Sequence, residues 1–135
     1  MAPLSTDRNT PVRKDQLYSY PVDAGAKIYA GALVVLDAGN AAAGSTALNL
    51  VTGGRAEGQV DNTGGAAGDL DVQVRRGTFR FANSAAADQV VLADVGADCF
   101  IVDDQTVAKT NGANTRSVAG RVVDVDAQGV WVRID

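Results

Sequence analysis

From Leu70 to Phe81 the chain reads LDVQVRRGTFRF, with apolar and polar residues in alternation. Leu70, Val72 and Val74 fall on one face of an extended strand and Asp71, Gln73 and Arg75 on the other, the period of two expected when one face meets a core. Phe79 and Phe81 then break the phase, so keeping both sets inside requires a turn or a one-residue bulge near Arg76 and Gly77. With the glycine-rich segment before it, this run makes residues 54–82 the predicted centre of a β-sheet.

The same reading extends along the chain. Residues 1–14 are polar, hold two of the three prolines and show no periodicity, which predicts an extended N-terminal arm. Residues 16–22 alternate weakly and include Pro21, fitting an edge strand. Residues 26–37 predict a short strand around Ile28, a turn at Ala30 and Gly31, and a strand from Leu33 to Leu36 buried on both faces. Residues 39–45 read as a small-residue loop and 47–52 as a short strand ended by Gly53 and Gly54. Residues 86–95 have room for a helical turn or one short helix. Residues 99–110 read as a hairpin turning at Asp103 and Asp104, 111–116 as a solvent loop, and 118–126 with 129–134 as a closing hairpin.

An internal echo runs through this pattern. Gly54-Arg55 opens a segment ending Val72-Gln73-Val74-Arg75, and Gly120-Arg121 opens one ending Val130-Trp131-Val132-Arg133. Either hairpins reuse the same turn chemistry by chance, or the two segments are equivalent halves of a barrel. Roughly nine or ten short strands at this spacing predict an all-β fold, a compact antiparallel β-barrel or sandwich of β-tulip-like form. It carries the arm and at most one short helix, so residues 15–135 form a single β-rich domain.

Composition narrows the function. The chain has 135 residues, enough to bury roughly two-thirds of its unfolded surface. With three Phe, three Tyr and one Trp, the core is expected to be thin and β-branched. A net charge of −4 without histidine argues against nucleic-acid binding and removes imidazole from metal or acid–base chemistry. Cys99 lies in an apolar run and reads as a buried, inert thiol. No charged-then-apolar leader and no apolar run long enough to span a bilayer is seen, so no membrane partner is expected and the chain is expected to stay in a reducing compartment.

Candidate chemistry is sparse. The aspartates sit beside Gly or Asn or at strand ends, where turn formation explains them, and Glu57 is the only glutamate. Residues 124–129 faintly resemble the start of a calcium loop but lack its later bidentate glutamate. None of the lysines, Lys14, Lys27 and Lys109, stands in an S-x-x-K arrangement with a serine nucleophile. The reading is of a non-enzyme with no catalytic residue, cofactor or metal. Interaction candidates remain: Leu4, Pro11 and Val12 for apolar contacts of the arm, Arg8 and Arg13 for partner carboxylates, and Arg75, Arg76 and Arg80 for a subunit interface. An alternative is a free-standing barrel that binds carbohydrate through Tyr18, Tyr20, Tyr29 or Trp131.

Taken together, LSTDRNTP in the arm, KIYAGALVVLD, GRAEGQVDNTGGAAGDLDVQVRRGTFRFANS, IVDDQTVAKT and AGRVVDVDAQGVWVRI resemble the head-decoration, or capsid cement, proteins of tailed bacteriophages, including Mu-like phages and their relatives. The resemblance covers nearly the whole chain and rests on order and spacing. It implies a small β-rich virion protein, commonly trimeric, made in the host cytoplasm. It would bind the major capsid protein on the outer surface of the mature shell and stabilise the head. Another virion part, such as a tail component, is the remaining alternative.

Overall fold

The computed structural model describes residues 2–13 and 16–135. It is all-β, built of antiparallel sheets with two single 3-10 turns, Ala86–Asp88 and Leu92–Asp94, where one short helix had room. Among the described residues the strands are more numerous than the pattern suggested. They are β1 (Leu17–Pro21), β2 (Lys27–Ile28), β3 (Leu33–Asp37), β4 (Asn40–Ala43), β5 (Val51–Ala56) and β6 (Val60–Asp61), followed by β7 (Asp71–Arg75), β8 (Gly77–Phe81), β9 (Asp98–Ile101), β10 (Val107–Ala108), β11 (Val118–Asp126) and β12 (Gly129–Ile134).

Two five-stranded sheets contain ten of these strands, in the orders β1-β7-β5-β3-β4 and β10-β9-β11-β12-β8. Reversing the second gives β8-β12-β11-β9-β10, the same connectivity as the first. Each sheet also curls back on itself. In the first, Val22, just past β1, bridges Ala41 of β4 in parallel, and Asp23 N–H donates to the Ala41 carbonyl at 2.9 Å. In the second, Ala82, just past β8, bridges Thr106, and Val107 N–H donates to the Ala82 carbonyl at 3.0 Å. The echo thus marks equivalent halves, each a small barrel in its own right rather than half of one.

The equivalence extends to single residues. Arg55 faces Arg75 across β5 and β7, as Arg121 faces Arg133 across β11 and β12. A register shift skips Gly53 where β3 meets β5 and Ala119 where β9 meets β11, so both bulges fall one residue before the glycine of the GR pair. Tyr18 and Tyr20 oppose Val74 and Val72, while Phe79 and Phe81 oppose Val132 and Val130.

Each barrel has its own core. Val22, Ile28, Val34, Ala41, Val72 and Val74 are buried in the first, and Phe81, Val90, Cys99, Ile101, Val130 and Val132 in the second. β3 serves both: Val34 points into the first core while Leu33 and Val35 join the second, which is why its sequence is continuously apolar. Leu33 N–H also donates to the Asp104 carbonyl at 2.8 Å, and Thr52 Oγ1 to the Val118 carbonyl at 2.9 Å, so the halves are hydrogen-bonded as well as packed.

Several expectations are corrected. Residues 40–43 form β4 instead of a loop: alanines are weak strand formers, but pairing with β3 supplies their hydrogen bonds. The strand expected at 47–52 runs over Val51–Ala56, with the bulge residue Gly53 and the closely packed Gly54 inside it. Leu70 does not share the buried face of Val72 and Val74; it is 43% exposed, preceding β7 in the turn. The phase break at Arg76 is present, but it is the crossing from one sheet to the other, and Gly77 takes φ +151° there.

A Cβ on Gly54, at φ +147°, would lie 2.6 Å from the Arg75 carbonyl oxygen, and one on Gly120 would press equally hard on that of Arg133. Gly54→Ala and Gly120→Ala are therefore each expected to cost about 2 kcal/mol or more in urea denaturation. Gly58→Ala, where a Cβ meets open space, is expected to leave the midpoint within about 0.5 kcal/mol.

Candidate interaction surface

Residues 2–13 of the arm are exposed throughout, with Leu4 at 74% and Val12 at 96%. Pro11 and Arg8 are equally open, and Thr10 N–H donates to the Arg8 carbonyl at 3.1 Å. At Arg13 the arm approaches the barrel. The Arg13 guanidinium lies 6.0 Å from the Tyr18 ring centre, and Arg13, Gln16, Leu17 and Arg75 line a cleft of about 400 Å³. Lys14, the last residue of the expected arm, lies outside the described residues.

The three arginines expected at a subunit interface lie on either side of the change of sheet, Arg75 on β7, Arg76 at the crossing and Arg80 on β8. Arg75 on β7 donates from Nε to Glu57 Oε1 at 3.1 Å, and Arg55 Nη2 donates to the same oxygen at 2.6 Å. These bonds, Arg55 foremost, hold the Glu57 carboxyl below the ordinary glutamate value. Arg76 sits at the crossing, 4.2 Å from the Tyr18 ring centre, and donates to Tyr20 Oη at 2.7 Å and the Gly53 carbonyl at 3.3 Å. It is half-buried and fastens β1 and β5 to the start of β8. Arg80 lies 5.6 Å from the Trp131 ring centre and donates to Gln128 Oε1 at 2.9 Å.

The same contacts bear on the aromatic residues. Tyr18 and Tyr20 stack with centroids 6.3 Å apart and pack against the first core, while Trp131 is half-buried beside Arg80. Tyr29, 55% exposed, is the open ring of the four, and Lys27 Nζ stands 5.0 Å from its centre.

The acids behave as turn residues. Asp61 Oδ1 accepts from Thr63 N–H at 3.0 Å, Asp69 from Ala66 N–H at 2.9 Å and Asp103 from Gln105 N–H at 2.9 Å. In the segment that faintly resembled a calcium loop, Asp126 accepts from Gln128 N–H at 2.8 Å, Gly129 N–H at 3.1 Å and Trp131 Nε1 at 2.9 Å. Its carboxylate is committed to the β11–β12 turn. No cluster of three potential metal ligands occurs among the described residues. Cys99 is buried and its thiol is pushed up to about 12 by that burial, leaving no thiolate near neutral pH.

A cleft of about 430 Å³ lies between the two halves and is lined by residues 29–32, Asp104 and Gln105. It brings one carboxylate to a backbone-rich wall. Comparison with family models, curated proteins and solved structures finds no match to this chain. What distinguishes the surface is therefore its own geometry: an exposed arm of mixed apolar and cationic residues leading into a rigid pair of barrels.

Two outcomes follow from these contacts. Arg76→Ala removes a charged hydrogen bond and a cation–π contact at the sheet crossing and is expected to cost about 2 kcal/mol in denaturant melts, with Arg76→Lys recovering less than half of it. The indole bond, followed by the turn N–H bonds, holds Asp126 below the ordinary aspartate value. Its stabilisation is complete above the unfolded pKa and is lost as pH falls through the lower folded one. Emission from Trp131, the single tryptophan, is expected to titrate with a midpoint below the ordinary aspartate range. Asp126→Asn removes that transition.

Proposed function

We propose that this chain is a virion structural protein, a decoration or cement protein that binds the outside of a mature tailed-phage capsid and stabilises contacts between major capsid subunits. The observation that carries the proposal is the arm. Leu4, Pro11 and Val12 are exposed apolar residues and Arg8 an exposed cation, on a segment joined to a closed, compact body. Such a segment gains little by staying in water and is suited to ordering on a partner, where backbone pairing and apolar contacts repay its lost entropy.

The body suits a non-enzymatic role at such a surface. Closed barrels leave few free strand edges, and the turn aspartates keep the chain acidic. A protein that binds only the assembled lattice stabilises it by mass action, and many copies acting together add avidity. In this reading the arm contacts the major capsid protein and the barrels contact further copies of the chain, with a trimer as the expected assembly. Neither nucleic acid nor membrane takes part, and the site of action is the outer capsid surface.

Deleting residues 2–13 and measuring co-sedimentation with expanded empty capsids tests the proposal. Binding is expected to fall about tenfold or more, with the thermal melt of the barrels unchanged. Full binding by the truncated protein refutes the arm as the capsid contact, and no binding by the intact protein refutes the function.

A further inference from the structure

The two halves carry the same pair of facing arginines, and one pair has a counter-ion that the other lacks. In the first half, Glu57 stands two residues beyond Arg55, and its Oε1 lies 2.6 Å from Arg55 Nη2 and 3.1 Å from Arg75 Nε. Two cations on directly opposed positions repel, and this bridging carboxylate cancels the repulsion.

In the second half, Arg121 faces Arg133 in the same register, and Gly120 makes the same close approach to the Arg133 carbonyl that Gly54 makes to that of Arg75. Two residues beyond Arg121, however, stands Val123. Among the described residues neither Arg121 nor Arg133 has an ion pair or a side-chain hydrogen bond, and both are exposed. They line a cleft of about 250 Å³ with Thr52, Val118, Asp98 and Asp135. Neither of those aspartates reaches the 4.0 Å of an ion pair with them.

We propose that the Arg121–Arg133 pair is a receptor for a carboxylate of a partner polypeptide, an Asp or Glu side chain that takes in the second half the place Glu57 takes in the first. The first half supplies the ligand chemistry. One carboxylate oxygen bridges two guanidinium groups held by adjacent strands, and arginine donors form strong, directional bonds to such an acceptor. The inference is independent of the virion role, because a small acidic probe tests it without any capsid.

The test is a titration of the intact protein with a blocked tri-glutamate peptide, followed through the side-chain Nε–H resonances of the arginines. Saturable shifts are expected at Arg121 and Arg133, with Arg55 and Arg75 unmoved because Glu57 already occupies them. Val123→Glu, which copies the first half, is expected to weaken the peptide's effect about tenfold and to raise Tm by about 2–4 °C. Arg133→Gln is expected to abolish the shifts at Arg121 without depending on the fit of a new glutamate. Equal shifts at every exposed arginine, Arg8 included, would overturn the site. So would an unmoved Arg121 and Arg133, and an equal response to inorganic phosphate would overturn its assignment to a carboxylate.

Discussion

Closing a sheet of only five strands on itself is the constraint from which most of this structure follows. So tight a curl demands local irregularity, because regular strands twist too gently to bring the first back to the last. Both halves meet the demand in the same way, with a bulge at Gly53 or Ala119 followed by Gly54 or Gly120 pressed against the carbonyl of a facing arginine. A bulge increases twist, and the missing Cβ lets the two backbones touch. The GR…VxVR echo is the sequence record of that solution used twice.

A small barrel also fixes its contents. Its interior admits short, stiff side chains, so valines fill both cores, and of the larger aromatic residues Phe81 enters a core while Phe79, Tyr18 and Tyr20 pack against the cores half-buried. Tyr18 and Tyr20 on β1 and Phe79 and Phe81 on β8 occupy corresponding places, and arginines cover them: Arg76 lies 4.2 Å from the Tyr18 ring centre and Arg55 4.6 Å from that of Phe79. These rings thus help to close the barrels.

How much of this was readable beforehand depended on the distance over which each feature is determined. β11 and β12 were legible with their bounds, and β7 by its alternation though not its start, since period and turn residues are local. β4 and β5 were not, because NAAA and VTGGRA have the composition of loops and become strands only through β3. The echo was visible, but that each copy closes separately depends on bridges such as Val22 to Ala41 that sequence spacing does not encode. Arg75, Arg76 and Arg80 read as a cluster because they lie close in the chain, and the crossing at Gly77 places Arg75 on one sheet and Arg80 on the other. Arg121 and Arg133 were overlooked as a pair, although the aligned echo, with Val123 standing where Glu57 would be, contained the signal.

Electrostatics then gives the molecule a polarity of use. On a chain of net charge −4, four of the cations on the barrels are paired with carboxylates: Arg55 and Arg75 with Glu57, Arg116 with Asp88 at 3.3 Å, Lys109 with Asp94 at 3.6 Å. Exposed pairs of this kind add little stability, but they cancel charge locally. Of the arginines left without a carboxylate, Arg76 and Arg80 are held by neutral partners, Tyr20, the Gly53 carbonyl and Gln128, which leaves Arg8 and Arg13 on the arm and the Arg121–Arg133 fork on the second barrel as the ones without a side-chain hydrogen bond or ion pair among the described residues. Complementary charge at these two places governs orientation more than total affinity. Lacking a glutamate at Val123 costs the second barrel some stability, and the same absence leaves it able to accept a carboxylate that the first barrel already holds.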